Sequence, residues 1–216
     1  VLAKKIFAKI FAFFVVYKIK KSYRNSAQIQ INTLKSLINK AKKTKFGIEH
    51  QFHKINSVEE YIDKVPIRDY EDIKKYIDEI KKGIKDILWP GIPKYLAKTS
   101  GTTSGVKHIP ITNESIPNHI LSSRNALLFY IYETGDTSFL NGKTIFLQGS
   151  PVLDEINGIL VGRLSGIVAH HIPSYLRKNN LPSIKTNSIE DWEEKVNEIC
   201  NETINENMTT IGGIPS

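Results

Sequence analysis

The sequence predicts an α/β fold: a mainly helical N-terminal layer over residues 1–88 and a β-sheet region flanked by helices over residues 89–216, both within one domain. Three observations lead there. The first half places apolar residues at helical spacing between capping residues. The second half alternates short β-branched runs with helical segments, the pattern of an α/β sheet. Between the halves, a loop rich in glycine and hydroxyl side chains separates two short extended runs.

The bulk properties agree. The chain has 216 residues, 40% hydrophobic and 24% charged, which excludes global disorder and the collagen-like and multi-span membrane classes. A single cysteine, Cys200, excludes an intrachain disulfide and a cysteine-based zinc site, and it fits a reducing, cytoplasmic setting.

Residues 1–17 are apolar apart from Lys4, Lys5 and Lys9, with an uninterrupted run of only eight residues at 10–17. A bilayer span takes about 20 apolar residues. Lys18, Lys20 and Lys21 follow at once and no A-x-A-like site appears, so a helix packed on the domain is expected rather than a signal peptide. The net charge is +8, and twelve basic residues precede the first acid, Glu49. A solvated helical face is the simplest reading, and membrane association through this helix is the minor one. No nucleic-acid partner is expected, because interleaved aromatics and an Arg-rich reading pattern are lacking.

Ile29, Leu34, Leu37, Ile38 and Ala41 form the next helix, with Gly47 as its stop. Ser57-Val58-Glu59-Glu60 fits a capping box opening a helix that ends before Pro66. Asp69 caps a helix carrying Ile73, Tyr76, Ile77 and Ile80, stopped by Gly83, and residues 89–93 (WPGIP) are a loop. Pro117 starts a helix that Gly135 ends. Strands are expected at 143–147 (KTIFL), 166–169 (GIVA) and 208–211. The segment 188–191 caps a helix with Trp192, Val196, Ile199, Cys200 and Ile204 inward. The chain stops where a βα unit should continue, so a longer protein is expected.

The chemistry-bearing motif is Thr99-Ser100-Gly101-Thr102-Thr103-Ser104-Gly105-Val106-Lys107. Gly101 and Gly105 allow left-handed backbone and close approach, so successive N–H groups can form an anion nest. The hydroxyls and Lys107 supply further donors. It is not a Walker A loop, since Lys107 follows Gly105 by two positions. A flexible surface loop is the bland alternative. The extended runs at 95–97 and 108–111 weigh against it, because they would hold the loop at both ends.

Residues 100–107 (SGTTSGVK) resemble the phosphate loop S-G-T-T-G-x-P-K of adenylate-forming enzymes. Residues 65–83 (VPIRDYEDIKKYIDEIKKG), 107–112 (KHIPIT), 172–182 (IPSYLRKNNLP), 191–196 (DWEEKV) and 208–216 (MTTIGGIPS) resemble, in order, bacterial members of the Gretchen-Hagen auxin-responsive family of acyl acid amido synthetases. The resemblance implies part of the large N-terminal domain of such an enzyme. It further implies a two-step reaction in which a carboxylic acid attacks the α-phosphate of ATP, and an amino acid amine then displaces AMP. Ser100, Gly101, Thr102, Thr103, Ser104, Gly105 and Lys107 would hold the β- and γ-phosphates, with Lys107 as the catalytic cation. Val106 departs from the superfamily's proline. Gly213, Ile214, Pro215 and Ser216 resemble a turn near the nucleotide or acyl pocket. Mg²⁺ is implied, with its ligands outside these 216 residues, and so is inactivity of the fragment alone. The alternative function is a basic module docking on anionic membrane or nucleic acid through residues 1–45.

Remaining candidates are weaker. His170-His171 lacks neighbours at ligand spacing, so no metal site is expected. His108, beside Lys107, is a candidate phosphate contact but reads first as a solvent-facing strand residue, and Trp89 and Trp192 read as core aromatics. Asp191, Glu193 and Glu194 form an acidic first helical turn. Nothing singles out Arg124 or Arg163.

Overall fold

The computed structural model describes residues 2–99, 101, 105–172 and 177–213. The chain divides into two compact units, one of Lys20–Asn113 with Asp154–Val161, the other of Val1–Ile19, Glu114–Leu153 and Gly162–Ser216.

In the first of these, the helices are α2 (Ser26–Ala41), α3 (Lys45–Glu49), α4 (Val58–Lys64) and α5 (Tyr70–Lys81). Each start has a chemical cause. The Thr44 hydroxyl accepts from the Gly47 N–H at 3.1 Å, and Ser57 accepts from the Glu60 N–H at 3.2 Å. Glu60 reaches back to the N–H of Asn56 rather than of Ser57, so that capping box closes one residue early. Asp69 and Asp72 form a full reciprocal box at the head of α5. Gly83 follows α5 at φ +80°, as the expected stop requires.

Gly47 does not end a helix. It lies inside α3, where a Cβ would come within 2.1 Å of the Ala41 carbonyl oxygen. Glycine is needed there for close approach of two backbones, a tertiary requirement with no periodic signature.

The sheet of this unit runs β2-β1-β5-β4, from β1 (Tyr95–Lys98), β2 (His108–Ile111), β4 (Asp154–Ile156) and β5 (Ile159–Arg163). β1 and β2 pair antiparallel, Tyr95 opposite Ile111 and Lys98 opposite His108. The hairpin β4–β5 turns on Asn157 (φ 48°) and Gly158 (φ 81°), the positive-φ pair of a tight two-residue turn. Leu96, Ile159 and Val161 pack with Tyr76, Ile77, Ile80 and Ile87 in one core, and Ile38, Ala41, Phe52 and Ile55 form a second. Each fully buried aliphatic side chain here contributes about 1.5–3 kcal/mol by leaving water.

The other unit holds the bulk of α1 (Leu2–Tyr23), then α6 (Ile116–Thr134), β3 (Lys143–Leu147), α7 (Leu164–Ala169), β6 (Asn180–Leu181), α8 (Ile184–Asn187), α9 (Trp192–Thr203) and β7 (Met208–Gly213). Its sheet is parallel with order β6-β3-β7. Gly135 (φ 68°) caps α6, its N–H donating to Ile131 O at 2.9 Å. Ala12 and Val16 of α1 are buried against Leu128 and Ile131 of α6.

Two expectations fail here. Residues 166–169 are helical, not a strand. Ile167 is buried and Gly166 sits where a Cβ would be 2.3 Å from Ser150 O. Packing thus overrides a β-branched bias that is worth only tenths of a kcal/mol per residue. On α9 the face expected inward points out: Trp192 is 67% and Ile204 77% exposed, whereas Lys195 is buried. Its Nζ donates to Asn187 O at 2.7 Å, which makes that burial tolerable.

Candidate functional site

The glycine-rich loop is the connection of the β1–β2 hairpin, so antiparallel pairing closes it at the base. Beyond the last paired residues, Lys98 and His108, the closure continues. Thr99 N–H donates to Lys107 O at 3.0 Å, and Lys107 N–H donates to Thr99 Oγ1 at 3.2 Å. Gly101 (φ +66°) and Gly105 (φ +76°) both take the left-handed backbone that glycine adopts without strain. They are close to one another, since a Cβ on Gly101 would lie 3.1 Å from the carbonyl carbon and oxygen of Gly105. Ser100, Thr102, Thr103 and Ser104 lie outside the described residues.

Tyr70, the first residue of α5, supports the exit of the loop. Its hydroxyl accepts the His108 backbone N–H at 2.9 Å, and its ring lies 5.4 Å from Lys107 Nζ, a cation–π contact. The Asp69–Asp72 box fixes the start of α5 and so the place of Tyr70. Sequence reading passed over this residue; its position just after a helix cap was the available signal.

His108 is not a solvent-facing strand residue. Its Nδ1 is buried without a hydrogen-bond partner among the described residues. Burial first, and then the positive charges of Lys81 and Lys98, hold its pKa below 6.5, outweighing Asp78. The imidazole is therefore neutral at pH 7. Lys98 is itself ion-paired with Asp154.

Electrostatically this is a lysine-bearing, backbone-rich turn with two left-handed glycines. Backbone amides of a left-handed turn and an ammonium group are the donor types that anions accept from. Among the described residues no three His, Cys, Asp or Glu side chains gather as a metal site. His170 Nε2–H donates to Pro151 O at 2.7 Å.

The profile of the GH3 family N-terminal domain matches residues 15–212. The chain belongs to the GH3 family. The indole-3-acetic acid-amido synthetase GH3.15 of Arabidopsis thaliana is 33% identical over 144 residues, 63% of this chain and 23% of that protein. Two solved structures share the fold. AtGH3.15 acyl acid amido synthetase in complex with 2,4-DB has a TM-score of 0.61 at 23% identity, covering 68% of this chain and 26% of that one. A structure of GH3.15 acyl acid amido synthetase has a TM-score of 0.65 at 21% identity, covering 81% and 31%. This GH3 chain thus spans less than a quarter of the length of the curated relative, and its fold is the mixed α/β fold of those structures.

Other residues weighed in this GH3 chain fall as follows. Gly213 ends β7 opposite Leu147, in the unit that does not contain the loop. Ile214, Pro215 and Ser216 lie outside the described residues. Arg124 bonds the Asn125 side chain and stacks on Phe11. Trp89 packs beside Ile38 as an aromatic of the second core. Asp191 is itself the cap of α9, accepting the Glu194 N–H at 2.8 Å, so the acidic first turn is Glu193 and Glu194, and Ser188 of the expected capping segment closes α8 instead. One polar brace has no signature in the sequence: His50 Nδ1–H donates to Phe46 O at 2.8 Å while its Nε2 accepts from Arg68 at 2.8 Å. Among the sites weighed, the loop carries the most anion-binding chemistry.

Proposed function

We propose that this chain is the N-terminal portion of an ATP-dependent acyl acid amido synthetase. The carrying observation is the closed 99–107 loop, with two left-handed glycines and Lys107, in a chain of the GH3 family. A relative named as an indole-3-acetic acid-amido synthetase supports a carboxylic acid substrate and an amide product.

In this reading the acid attacks the α-phosphate of ATP, and pyrophosphate leaves as an acyl-adenylate forms. An amino acid amine then attacks the acyl carbon, expelling AMP and giving the amide. The departing pyrophosphate concentrates negative charge. Donors fixed before the reaction stabilise that charge without reorganising. Backbone amides of 100–105, the hydroxyls of Ser100, Thr102, Thr103 and Ser104, and the ammonium group of Lys107 fill that role. Gly213 to Ser216 are assigned to the nucleotide or acyl pocket. Mg²⁺ would supply further charge neutralisation; the described residues do not fit its ligand set, and no step assigned to this chain runs through it. The enzyme acts in the cytoplasm, and these 216 residues alone do not turn over.

The test is ATP–pyrophosphate exchange by the full-length protein with pooled aryl and aliphatic carboxylic acids. Acid-dependent exchange that falls about 100-fold or more in Lys107→Ala is expected, the scale of losing one preorganised charge-stabilising donor. Folded protein that exchanges with no acid overturns the activity. Exchange indifferent to Lys107→Ala overturns the role of that residue.

A further inference from the structure

We propose that α1 lies flat on an anionic lipid bilayer, through an apolar face opposite the one it packs on α6. At about 100° of rotation per residue, Ala12 and Val16 fall about 40° apart, and both are fully buried against Leu128 and Ile131. On the far side of the same helix lie Ile6, Phe7, Ile10, Phe14 and Tyr17, with Phe13 at its margin, where its ring is 6.3 Å from that of Tyr132 on α6. Phe7 is 68%, Phe14 63% and Tyr17 56% exposed, and the other three are about half exposed. Between Ala3 and Tyr17 no polar residue interrupts this face.

A helix with apolar residues on two opposite sides has little net amphipathicity, because the two faces cancel. This explains why periodicity alone reveals neither. Phe7 stacks on Phe11 and Phe13 on Tyr17 along the axis, so the aromatic ridge is already ordered.

Charge decides what covers the face. α1 contains no acidic residue. Lys18 borders the apolar face on one side; on the other, Lys9 reaches toward α6, its Nζ 3.9 Å from where a Cβ on Gly135 would sit, and Lys20 and Lys21 follow in the last turn. An apolar stripe with lysines at its edges suits a helix lying in a membrane surface, the rings among the acyl chains and the ammonium groups at anionic headgroups. Among the described residues no helix is long and apolar enough to cross a bilayer. The match to the GH3 N-terminal domain begins at residue 15, so Ile6, Phe7, Ile10, Phe13 and Phe14 lie upstream of it. None of these ridge residues belongs to the 99–107 loop, so membrane docking is independent of the ligase chemistry.

Vesicle flotation of the full-length protein tests this, with phosphatidylserine–phosphatidylcholine vesicles against phosphatidylcholine alone. Co-flotation with the anionic vesicles only, weakening steeply as salt rises, is expected. Phe7→Ser with Phe14→Ser should lower partitioning about tenfold or more, and Lys18→Glu with Lys21→Glu should remove the preference for phosphatidylserine. Phe7 and Phe14 are exposed, so the thermal midpoint should hold and serves as the folding control. Absent flotation, or flotation indifferent to the phenylalanine pair or to salt, overturns the proposal. So does a concentration-dependent dimer that the phenylalanine pair abolishes, which would make a second copy the occupant. Binding to duplex DNA in place of vesicles would assign the lysines to a different partner and overturn it as well.

Discussion

Alanine at Gly101 and at Gly105 separates two physical demands on the loop. Both glycines have positive φ, and a residue with a Cβ pays about 1–2 kcal/mol to hold that backbone. The loop ends cannot relax the demand, because Thr99 and Lys107 are tied by two hydrogen bonds. Around Gly105 no atom of the described residues lies within 4 Å of an added Cβ, so Gly105→Ala meets the conformational cost alone. At Gly101 the Cβ would sit 3.1 Å from Gly105 C and O and 3.2 Å from Val106 N, and these are backbone atoms with little freedom to retreat. That crowding adds about 1 kcal/mol. The expected rise in KM for ATP is therefore about 10-fold for Gly105→Ala and about 50-fold for Gly101→Ala. Pyrophosphate exchange on the full-length enzyme reads both, and thermal midpoints should move little because neither residue is in a core. Equal effects would refute the contact argument. Unchanged KM in both variants would refute the role of the loop in holding phosphate.

Three further outcomes are expected. Tyr70→Phe keeps the ring beside Lys107 and should leave the KM for ATP within about twofold, whereas Tyr70→Leu should raise it about threefold, the worth of a half-exposed cation–π contact. In a Lys107→Ala background that difference should vanish, and its persistence would show that Tyr70 does not act through Lys107. Gly47→Ala places a Cβ 2.1 Å from Ala41 O and 2.9 Å from Ala41 C. Calorimetry should show a midpoint lowered by about 6–12 °C, from about 3 kcal/mol at 2–4 °C per kcal/mol for a chain of this size; a smaller loss than about 1 kcal/mol would contradict the close approach. Glu202 is pushed up by burial, but hydrogen bonds from Thr186 and Ser183 outweigh this and hold its pKa below the ordinary 4.5. A depressed carboxylate contributes stability that is present above 4.5 and lost as pH falls through its folded pKa. Glu202→Gln should therefore lower stability at neutral pH and flatten the acid limb below 4.5, and denaturant titrations with parallel limbs in both proteins would exclude this linkage.

Features set by local chemistry were legible in the sequence. The runs at 95–97, 108–111 and 143–147 form strands, and Asp69, Asp191 and Gly135 cap helices as read. Features set by a distant neighbour were not. Gly47 read as a stop because glycine after a periodic run usually is one, yet its use is to let Ala41 O approach. Residues 166–169 read as a strand by composition but fold as helix beside Ser150. The Asn157-Gly158 turn was visible as a hairpin signal and went unread. His108 falls in a strand as its apolar run predicts, while the burial of its Nδ1 depends on packing around β2.

For the loop, the sequence alone determined the donor types, the two glycines and the strands on either side. These are local properties, carried by residue chemistry and backbone preference over a few positions. The tertiary structure decided that Tyr70 stands beside Lys107 across 37 positions of chain, that Lys195 rather than Trp192 faces inward on α9, and which of the two apolar faces of α1 packs on α6. Each of these depends on which segments meet in space. Contact energy between residues distant in sequence leaves no periodic mark in either one.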